Sequence, residues 1–381
     1  MDAALNQSDA TQALASARRL VVKIGSSLLT EPATGALKRD WLAALARDLA
    51  SYHARGVEIL VVSSGAIALG GGVLGLVNPR TRLSEAQAAA AVGQIALAHA
   101  YQEAFAAEGM SVAQLLLTIS DLEDRRRYLN ARSAVSTLLS LGAVPVINEN
   151  DTVATSEIRF GDNDRLAARV AQMAGADVLI LLSDVDGLYT ADPTHNPDAE
   201  FIPAVEEITP ELRAMAGPSS LAGVGSGGMI TKVAAAGIAA GAGCATVLVD
   251  GTKPAPVSAF CRTGRGTLFK AKLTPMQARK AWIRGLMAAG GSVTVDDGAV
   301  AALKDGNSLL AVGIAHVDGA FEPGDLVTVR AMSGTDVAQG LIAYSADDCD
   351  KIKSAKTDEI EAILGYCRRS AVIHRDDLVL L

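Results

Sequence analysis

The sequence has few of the residues that form disulfides or hold metal ions. Its 381 residues include 4 cysteines and 5 histidines. The cysteines, Cys244, Cys261, Cys349 and Cys367, lie far apart and form no CxxC pair, and the histidines are scattered. This spacing gives no zinc-ligand pattern and no disulfide framework. We therefore expect reduced thiols, as in cytoplasmic proteins.

Aromatic residues and positive charge are also scarce. Aromatics make up 4% of the chain, which argues against an aromatic-lined nucleic-acid platform. The net charge is −8, which argues against non-specific binding of polyanions. The acidity is concentrated at the end of the chain, because the part from Gly291 onward has 8 Lys and Arg against 15 Asp and Glu.

Long apolar runs are absent. No stretch of 18 apolar residues occurs, so the sequence predicts no membrane-spanning helix. The first residues, MDAALNQSDATQ, contain an early acid and lack the apolar core of a signal peptide. The expected location is the cytoplasm.

Half of the residues are hydrophobic, and up to about residue 270 strand-like runs alternate with helix-like stretches. The strand-like runs are RLVVKI, VEILVVSSG, SVAQLLLT, AVPVIN, DVLILLSD and ATVLVD. Strands that are apolar at nearly every position are buried on both faces. The pattern therefore predicts an α/β fold, with a largely parallel sheet sandwiched between helices.

The pattern changes near residue 271. Residues 271–289 are mixed and basic, which suggests a linker, and short strand-like pieces separated by turn signals follow. We predict a catalytic domain over 16–270, a linker over 271–289, and a small β-rich domain over 290–381.

Three glycine-rich turns follow strand-like stretches: KIGSS (23–27), SSGA (63–66) and GVGSGGMITK (223–232). In open parallel sheets ligands bind beyond the carboxyl ends of strands, where glycine lets backbone amides approach a phosphate. Two of these turns contain a lysine, Lys23 and Lys232. The alternative to a phosphate site is that the turns only reverse the chain and that the lysine extends from the strand end to solvent.

Familiar nucleotide motifs do not account for these turns. The pattern GxxxxGK[ST] is absent, because Gly228 is followed by Met229. GGGVLG (70–75) matches GxGxxG, but it follows AIAL instead of ending a strand, and no acid lies about 20 residues further on. We interpret it as a glycine-rich loop. Protein-kinase signatures are also missing.

A polar segment, PVINENDTVATSEIRFGDND (145–164), follows the strand that ends at Ile147. A solvated loop is one interpretation. The alternative is a ligand site, because the acids follow the carboxyl end of a strand and GDND leads directly into a helical stretch. Such groups suit the ammonium of an amino acid or a magnesium ion.

Five motifs together resemble the amino acid kinase family: VVKIGSS, VSSGAIALG, PVINENDTVATSEIRFGDND, LLSDVDGLYTADP and GSGGMITKVAAA. They are most similar to the members that phosphorylate the side-chain carboxylate of glutamate at the start of proline synthesis. The tail, including ILGYCRRSAVIHRDD, resembles a PUA domain. The likeness covers the chain from about Arg18 onward and implies the amino acid kinase fold with a C-terminal PUA-like barrel.

The resemblance implies roles for individual residues. Lys23 and Lys232 would hold the transferring phosphoryl group, and Asp164 would organise them. The glutamate-binding residues would be Ser64, Asp151, Asn163 and Asp162. The ATP-binding residues would be Lys23, Ser183, Asp184, Ser226, Gly227, Gly228, Met229, Ile230, Thr231 and Lys232. ATP as co-substrate, Mg²⁺, feedback inhibition by proline and a homo-oligomer are also implied.

Elementary chemistry agrees with these roles. The nucleophile would be a carboxylate that is already ionised at pH 7, so no general base is needed. Two unit charges about 4 Å apart repel by roughly 4 kcal/mol at an effective dielectric of about 20, and two lysines with Mg²⁺ would offset this. Aspartate, acetylglutamate, carbamate and nucleoside monophosphates are the alternative acceptors. RNA binding or modification through the PUA-like tail is the alternative class of function.

Overall fold

The computed structural model describes residues 2–32, 34–76, 79, 82–153, 162–216, 228–286 and 289–381. The chain divides into two compact units, Met1–Pro275 and Met276–Leu381. The segment expected to be a linker, 271–289, contains the helix Pro275–Gly285. The domain boundaries given above stay a prediction. Within the described residues, no helix is both long and apolar enough to cross a membrane.

The first unit is built on an eight-stranded sheet with the order β3-β4-β2-β1-β5-β9-β10-β8. Its strands are β1 (Arg19–Ile24), β2 (Glu58–Ser63), β3 (Val112–Leu117), β4 (Val144–Glu149), β5 (Val178–Ser183), β8 (Ala204–Val205), β9 (Ala245–Asp250) and β10 (Gly266–Phe269). A two-stranded ribbon pairs β6 (Leu188–Tyr189) with β7 (Phe201–Ile202). Every neighbouring pair in the large sheet is parallel except β9 and β10, which confirms the predicted parallel sheet.

Helices cover both faces of this sheet. They are α1 (Asp2–Ser16), α2 (Ser26–Leu29), α3 (Arg39–His53), α4 (Ala66–Leu74), α5 (Leu83–Ala106), α6 (Ile119–Glu123), α7 (Arg125–Ser140), α8 (Asp162–Ala174), α9 (Pro210–Met215), α10 (Met229–Gly241) and α11 (Pro256–Thr263). One core joins the sheet to α1, α3, α5 and α11, and the other joins it to α7, α8 and α10. The predicted sandwich of helices and sheet is therefore confirmed.

The alternation of side chains along β1 decides where its lysine points. Leu20, Val22 and Ile24 belong to the core shared with α3 and α5. Val21 belongs to the core shared with α8 and α10. Because successive side chains of a strand point to opposite faces, Lys23 lies on the same face as Val21. The lysine therefore points to the face where α8 and α10 begin.

The interpretation of GGGVLG (70–75) as a loop is wrong, because its first five residues lie within α4. Gly70 of α4 and Gly93 of α5 allow these two helices to pack closely. A Cβ on Gly70 would lie 1.7 Å from the carbonyl oxygen of Ala89, and one on Gly93 would lie 1.8 Å from that of Ala66. The glycines are therefore needed for helix packing. Residues 223–227 of the third glycine-rich turn, with the residues directly before them, lie outside the described residues.

The second unit has a five-stranded sheet with the order β12-β11-β13-β14-β15, which confirms a separate β-rich domain. Its strands are β11 (Gly291–Val295), β12 (Ile314–Gly319), β13 (Leu326–Ala331), β14 (Asp336–Leu341) and β15 (Leu378–Leu380). Its helices are α12 (Pro275–Gly285), α13 (Asp297–Lys304), α14 (Ala346–Ile352) and α15 (Ile360–Leu364). The unit has its own core, and Arg279 of α12 pairs with the buried Asp377 at 2.7 Å.

Candidate active site

A buried carboxylate and two buried ammonium groups meet at the carboxyl edge of the large sheet. Asp164 in the first turn of α8 is 0% exposed, and Lys23 and Lys232 are 6% and 7% exposed. The Lys23 Nζ lies 2.6 Å from Asp164 Oδ1, and the Lys232 Nζ lies 3.8 Å from Oδ2. Thr231 Oγ1 donates a hydrogen bond to the same Oδ2 at 2.7 Å. The structure thus brings together the three residues expected to be catalytic.

Three elements place these side chains. Lys23 is the second-last residue of β1 and points to the face covered by α8 and α10. Asp164 and Lys232 lie in the first turns of α8 and α10, which pack on that face. The N-terminus of a helix carries a partial positive charge, so both helices add to the positive potential of the two lysines.

The cluster shifts the pKa values of its members. Burial alone would raise the pKa of Asp164, but the charges of Lys23 and Lys232, with hydrogen bonds from Lys23 and Thr231, outweigh burial and lower it. Burial lowers the pKa of Lys232, and the charge of Lys23 acts in the same direction, while Asp164 and Asp184 oppose the change. Two cations thus face one carboxylate in a buried site, which favours binding of an anion.

A second polar group surrounds Asn163, the residue next to Asp164. Asn163 Nδ2 donates to Ser64 Oγ at 2.7 Å and lies 3.3 Å from the carbonyl oxygen of Ser63 and 3.4 Å from Asn148 Oδ1. The other end of this amide, Asn163 Oδ1, is buried and has no hydrogen-bond partner among the described residues. A buried acceptor of this kind normally has a partner, so a donor on a bound ligand would satisfy it.

The remaining residues expected to bind glutamate lie in the polar segment after β4. Asp151 is buried there. Asp162 is the first residue of α8, and nothing is described of its side chain. Most of the predicted loop between them, 154–161, lies outside the described residues.

The residues expected to bind the nucleotide fall into two groups. Ser183 ends β5, is buried, and donates to Asp184 Oδ1 at 3.1 Å. Gly228 caps α10, and Met229 and Ile230 are its first residues. Ser226 and Gly227 lie outside the described residues. Thr231 was expected to contact the nucleotide, and the structure also gives its hydroxyl a bond to Asp164.

Two residues of α5 contact the site although they lie outside the motifs that predict it. Gln94 Oε1 accepts a hydrogen bond from Asn148 Nδ2 at 2.9 Å. Tyr101 donates its hydroxyl proton to Ser63 Oγ, also at 2.9 Å, and burial raises the pKa of Tyr101. Neither residue belongs to a recognisable motif, so only the packing of α5 on the sheet reveals them.

The described residues contain no group of three or more His, Cys, Asp or Glu placed to hold a metal ion. A magnesium ion bound to a nucleotide takes most of its ligands from phosphates and water. Mg²⁺ that arrived with a nucleotide would need at most one or two carboxylate ligands from the protein.

A parallel α/β sheet with two lysines around one aspartate at its carboxyl edge defines a phosphoryl-transferring type of site, since such transfer depends on cations at the transferred group. Residues 18–250 match the amino acid kinase family, and residues 291–364 match the PUA domain. This chain belongs to the amino acid kinase family.

Two curated relatives agree with this assignment. Proteins named glutamate 5-kinase from Brucella ovis and from Brucella abortus (strain S19) are each 58% identical to this chain over 363 residues, or 95% of this chain and 96% of theirs. Among solved structures, the UMP kinase of Bacillus anthracis is 15% identical with a TM-score of 0.46. That match covers 67% of this chain and 97% of the kinase.

Proposed function

We propose that this protein transfers the γ-phosphoryl group of ATP to the side-chain carboxylate of L-glutamate. The products are L-glutamyl 5-phosphate and ADP, and the reaction is the first step of proline biosynthesis. The cluster of Lys23, Asp164 and Lys232 carries this proposal. Relatives named glutamate 5-kinase, 58% identical over nearly the whole chain, support the choice of substrate.

The reaction needs charge stabilisation more than proton transfer. A carboxylate oxygen of glutamate forms a bond to the γ-phosphorus, while the bond from that phosphorus to the bridging oxygen breaks and ADP leaves. The nucleophile is ionised at neutral pH, so no proton has to be removed. Phosphoryl transfer is catalysed mainly by positioning and electrostatic stabilisation, and the buried ammonium groups supply the latter.

The two lysines would lie on either side of the transferred phosphoryl group. Asp164 would hold the two ammonium groups close together before ATP binds. Without Asp164, two buried ammonium groups would repel each other with no opposite charge between them. Gly25 leaves space beside the site, because a Cβ at this position would lie 3.8 Å from Lys23 Nζ. A phosphate oxygen can therefore approach the backbone there.

Glutamate would bind at the polar group around Asn163. Its ammonium group would donate to Asn163 Oδ1 and pair with the carboxylates of Asp151 and Asp162. Ser64 Oγ accepts from Asn163, and its own proton is then directed elsewhere, so Ser64 suits donation to a substrate carboxylate. These roles agree with those implied by the family motifs.

ATP would bind across the ends of β5 and α10. Ser183 and Asp184 lie on one side of this region, and Gly228 with the first turn of α10 lies on the other. Mg²⁺ would arrive with the nucleotide and neutralise part of the phosphate charge. Feedback inhibition by proline, a homo-oligomeric state and a cytoplasmic location stay predictions.

An acceptor panel tests the proposed reaction. The purified chain is incubated with ATP, Mg²⁺ and hydroxylamine, and the acyl phosphate is trapped as a hydroxamate. We expect product with glutamate and none with aspartate, acetylglutamate or carbamate, while UMP, assayed by ADP release, should give no turnover. A preferred acceptor other than glutamate would contradict the assignment, and a repeat with proline tests feedback inhibition.

RNA binding is the competing class of function, because the second unit contains the PUA match. The residues from Gly291 to the end have 8 basic and 15 acidic side chains, so this part should repel a polyanion. We expect no retention of labelled RNA on filters at about 0.15 M salt. Retention that weakens steeply with added salt would instead show a phosphate-binding surface.

A further inference from the structure

We infer that Gln94 is a positioning residue for glutamate binding, which acts through Asn148 to fix the orientation of the Asn163 amide. This inference rests on the proposed function. It concerns a chain of three side-chain amides that runs from α5 past the end of β4 to the start of α8. Gln94 has no direct place in the proposed glutamate contacts.

Gln94 acts first on the orientation of the Asn148 amide. Its Nδ2 donates to Gln94 Oε1 at 2.9 Å, and its Oδ1 accepts from the backbone N–H of Glu149 at 2.9 Å. Asn148 is 2% exposed, so water cannot easily replace either partner. If the Asn148 amide flipped, its Oδ1 would face Gln94 Oε1, another acceptor, and its Nδ2 would face the N–H of Glu149, another donor. Gln94 therefore helps to hold the Asn148 amide in one orientation.

The orientation of Asn163 follows from that of Asn148. The amide nitrogen of Asn163 faces three oxygen atoms, those of Ser64 Oγ, the Ser63 carbonyl and Asn148 Oδ1. A flip of the Asn163 amide would place its Oδ1 next to the Ser63 carbonyl oxygen and Asn148 Oδ1, which have no proton to donate. The fixed amide therefore directs Asn163 Oδ1 away from them, and this buried atom has no partner among the described residues. It is then available to accept from the ammonium group of glutamate.

Helix α5 is well anchored for this role. Two turns after Gln94, Tyr101 donates to Ser63 Oγ, and both of these residues are completely buried. Residues 94 and 101 lie on the same side of the helix, since seven residues make almost two full turns. One helix thus fixes the ends of both β2 and β4, from the face of the sheet opposite to Lys23.

The space around Gln94 decides which substitution is informative. A cavity of about 20 Å³ lies between α5 and β4 and is lined in part by Gln94, Gln114 and Asn148. A cavity of this volume already has room for about one water molecule, and truncation of Gln94 would widen it, so that water could take over the acceptor role. Methionine fills the space of glutamine without offering a strong acceptor. Glutamate has a similar length and keeps a carboxylate oxygen for Asn148 Nδ2.

The experiment compares Gln94→Met and Gln94→Glu with the wild type in the hydroxamate assay. We expect Gln94→Met to raise the KM for glutamate about tenfold, with the KM for ATP and kcat within twofold of wild type. Gln94→Glu should stay within threefold of wild type for all three. Gln114→Met, at the other wall of the same cavity, is the matched control and should leave the KM for glutamate unchanged.

The outcomes separate the inference from the proposed function. An active wild type with an unchanged KM for glutamate in Gln94→Met would overturn the inference alone. Equal losses in both Gln94 variants, or a parallel rise in the KM for ATP with a lower unfolding temperature, would show a merely structural role and would also overturn it. A wild-type chain that forms no acyl phosphate would contradict the proposed function, and the inference with it.

Discussion

At the scale of single residues, the site contains two buried lysine charges and one buried aspartate charge, so positive charge is in excess. Asp164 neutralises one lysine charge in the free protein, and the remaining charge is directed at whatever anion binds. The lowered pKa of Asp164 keeps its carboxylate ionised near neutral pH, so the arrangement is maintained when the site is empty of nucleotide. Two predictions at this scale depend on how this charge is used.

Removal of either lysine charge should reduce catalysis strongly. We expect Lys23→Met or Lys232→Met to lower kcat by about 10²- to 10³-fold, comparable to the loss of one oxyanion-hole donor. Lys272→Met is the control, because Lys272 is exposed and pairs with Glu207 at 2.9 Å. Steady-state kinetics with glutamate and ATP measure the effect. A variant at 23 or 232 with nearly normal kcat would remove that lysine from the mechanism.

The pH dependence should report Lys232. Burial lowers the pKa of this lysine below its usual 10.5, so its ammonium group loses its proton at a lower pH than an exposed lysine would. Because the charged form stabilises the phosphoryl group, kcat/KM for ATP should fall on the alkaline side below pH 10.5. Arginine stays protonated, so Lys232→Arg should move this fall to higher pH. An unchanged alkaline limb in that variant would assign the titration to another group.

At the scale of elements, the long strands could be predicted from the sequence because burial on both faces leaves an almost continuous apolar run. The two-residue strands β6, β7 and β8 are too short for any periodic signal. The sequence does not predict a helix at GGGVLG, because glycine disfavours an isolated helix. Its helical state comes from the close packing of α4 on α5, which the local sequence does not contain.

In the site, too, some residues can be predicted from local sequence and others depend on tertiary packing. Lys23, Asn163, Asp164 and Lys232 could be predicted because each lies in a motif that is continuous in sequence. Gln94 could not, because its partner Asn148 lies 54 residues further along the chain. Their contact exists only once α5 has packed on the sheet, so tertiary structure is needed to find it.

The close contact between α4 and α5 predicts a sensitive position at Gly93. A Cβ there would lie 1.8 Å from the Ala66 carbonyl oxygen and 2.6 Å from the Gly70 nitrogen, both backbone atoms. Gly93→Ala should therefore force the helices apart and cost about 1–3 kcal/mol or more of unfolding free energy. It should also lower activity, since α4 begins directly after Ser64 and Gly65.

Urea unfolding measures this cost. The matched control is Gly241→Ala, because a Cβ at Gly241 in α10 meets no atom within 4 Å. This control should be neutral or slightly stabilising, since alanine favours helix more than glycine does. A Gly93→Ala variant as stable as the wild type would mean that the two helices can separate at little cost.

At the scale of the whole molecule, the chain contains two units with separate hydrophobic cores. All residues proposed to bind glutamate and ATP belong to the first unit. The second unit has none of the proposed ligand contacts. All of the proposed chemistry is therefore assigned to one unit, so a ligand should change the stability of that unit alone.

This separation predicts how ligands change thermal unfolding. Two units with independent cores need not unfold in one transition. A ligand that binds only the folded first unit stabilises that unit by about 2.7 kcal/mol at 100 times its Kd. In calorimetry of the full chain, glutamate with a non-hydrolysable ATP analogue and Mg²⁺ should raise the midpoint of one transition and leave the other in place. A control with Lys232→Met should show a smaller shift from the nucleotide analogue alone. A single transition that moved as a whole would contradict this prediction. It would show that the two units unfold as one cooperative body and that ligand binding in the first stabilises the second.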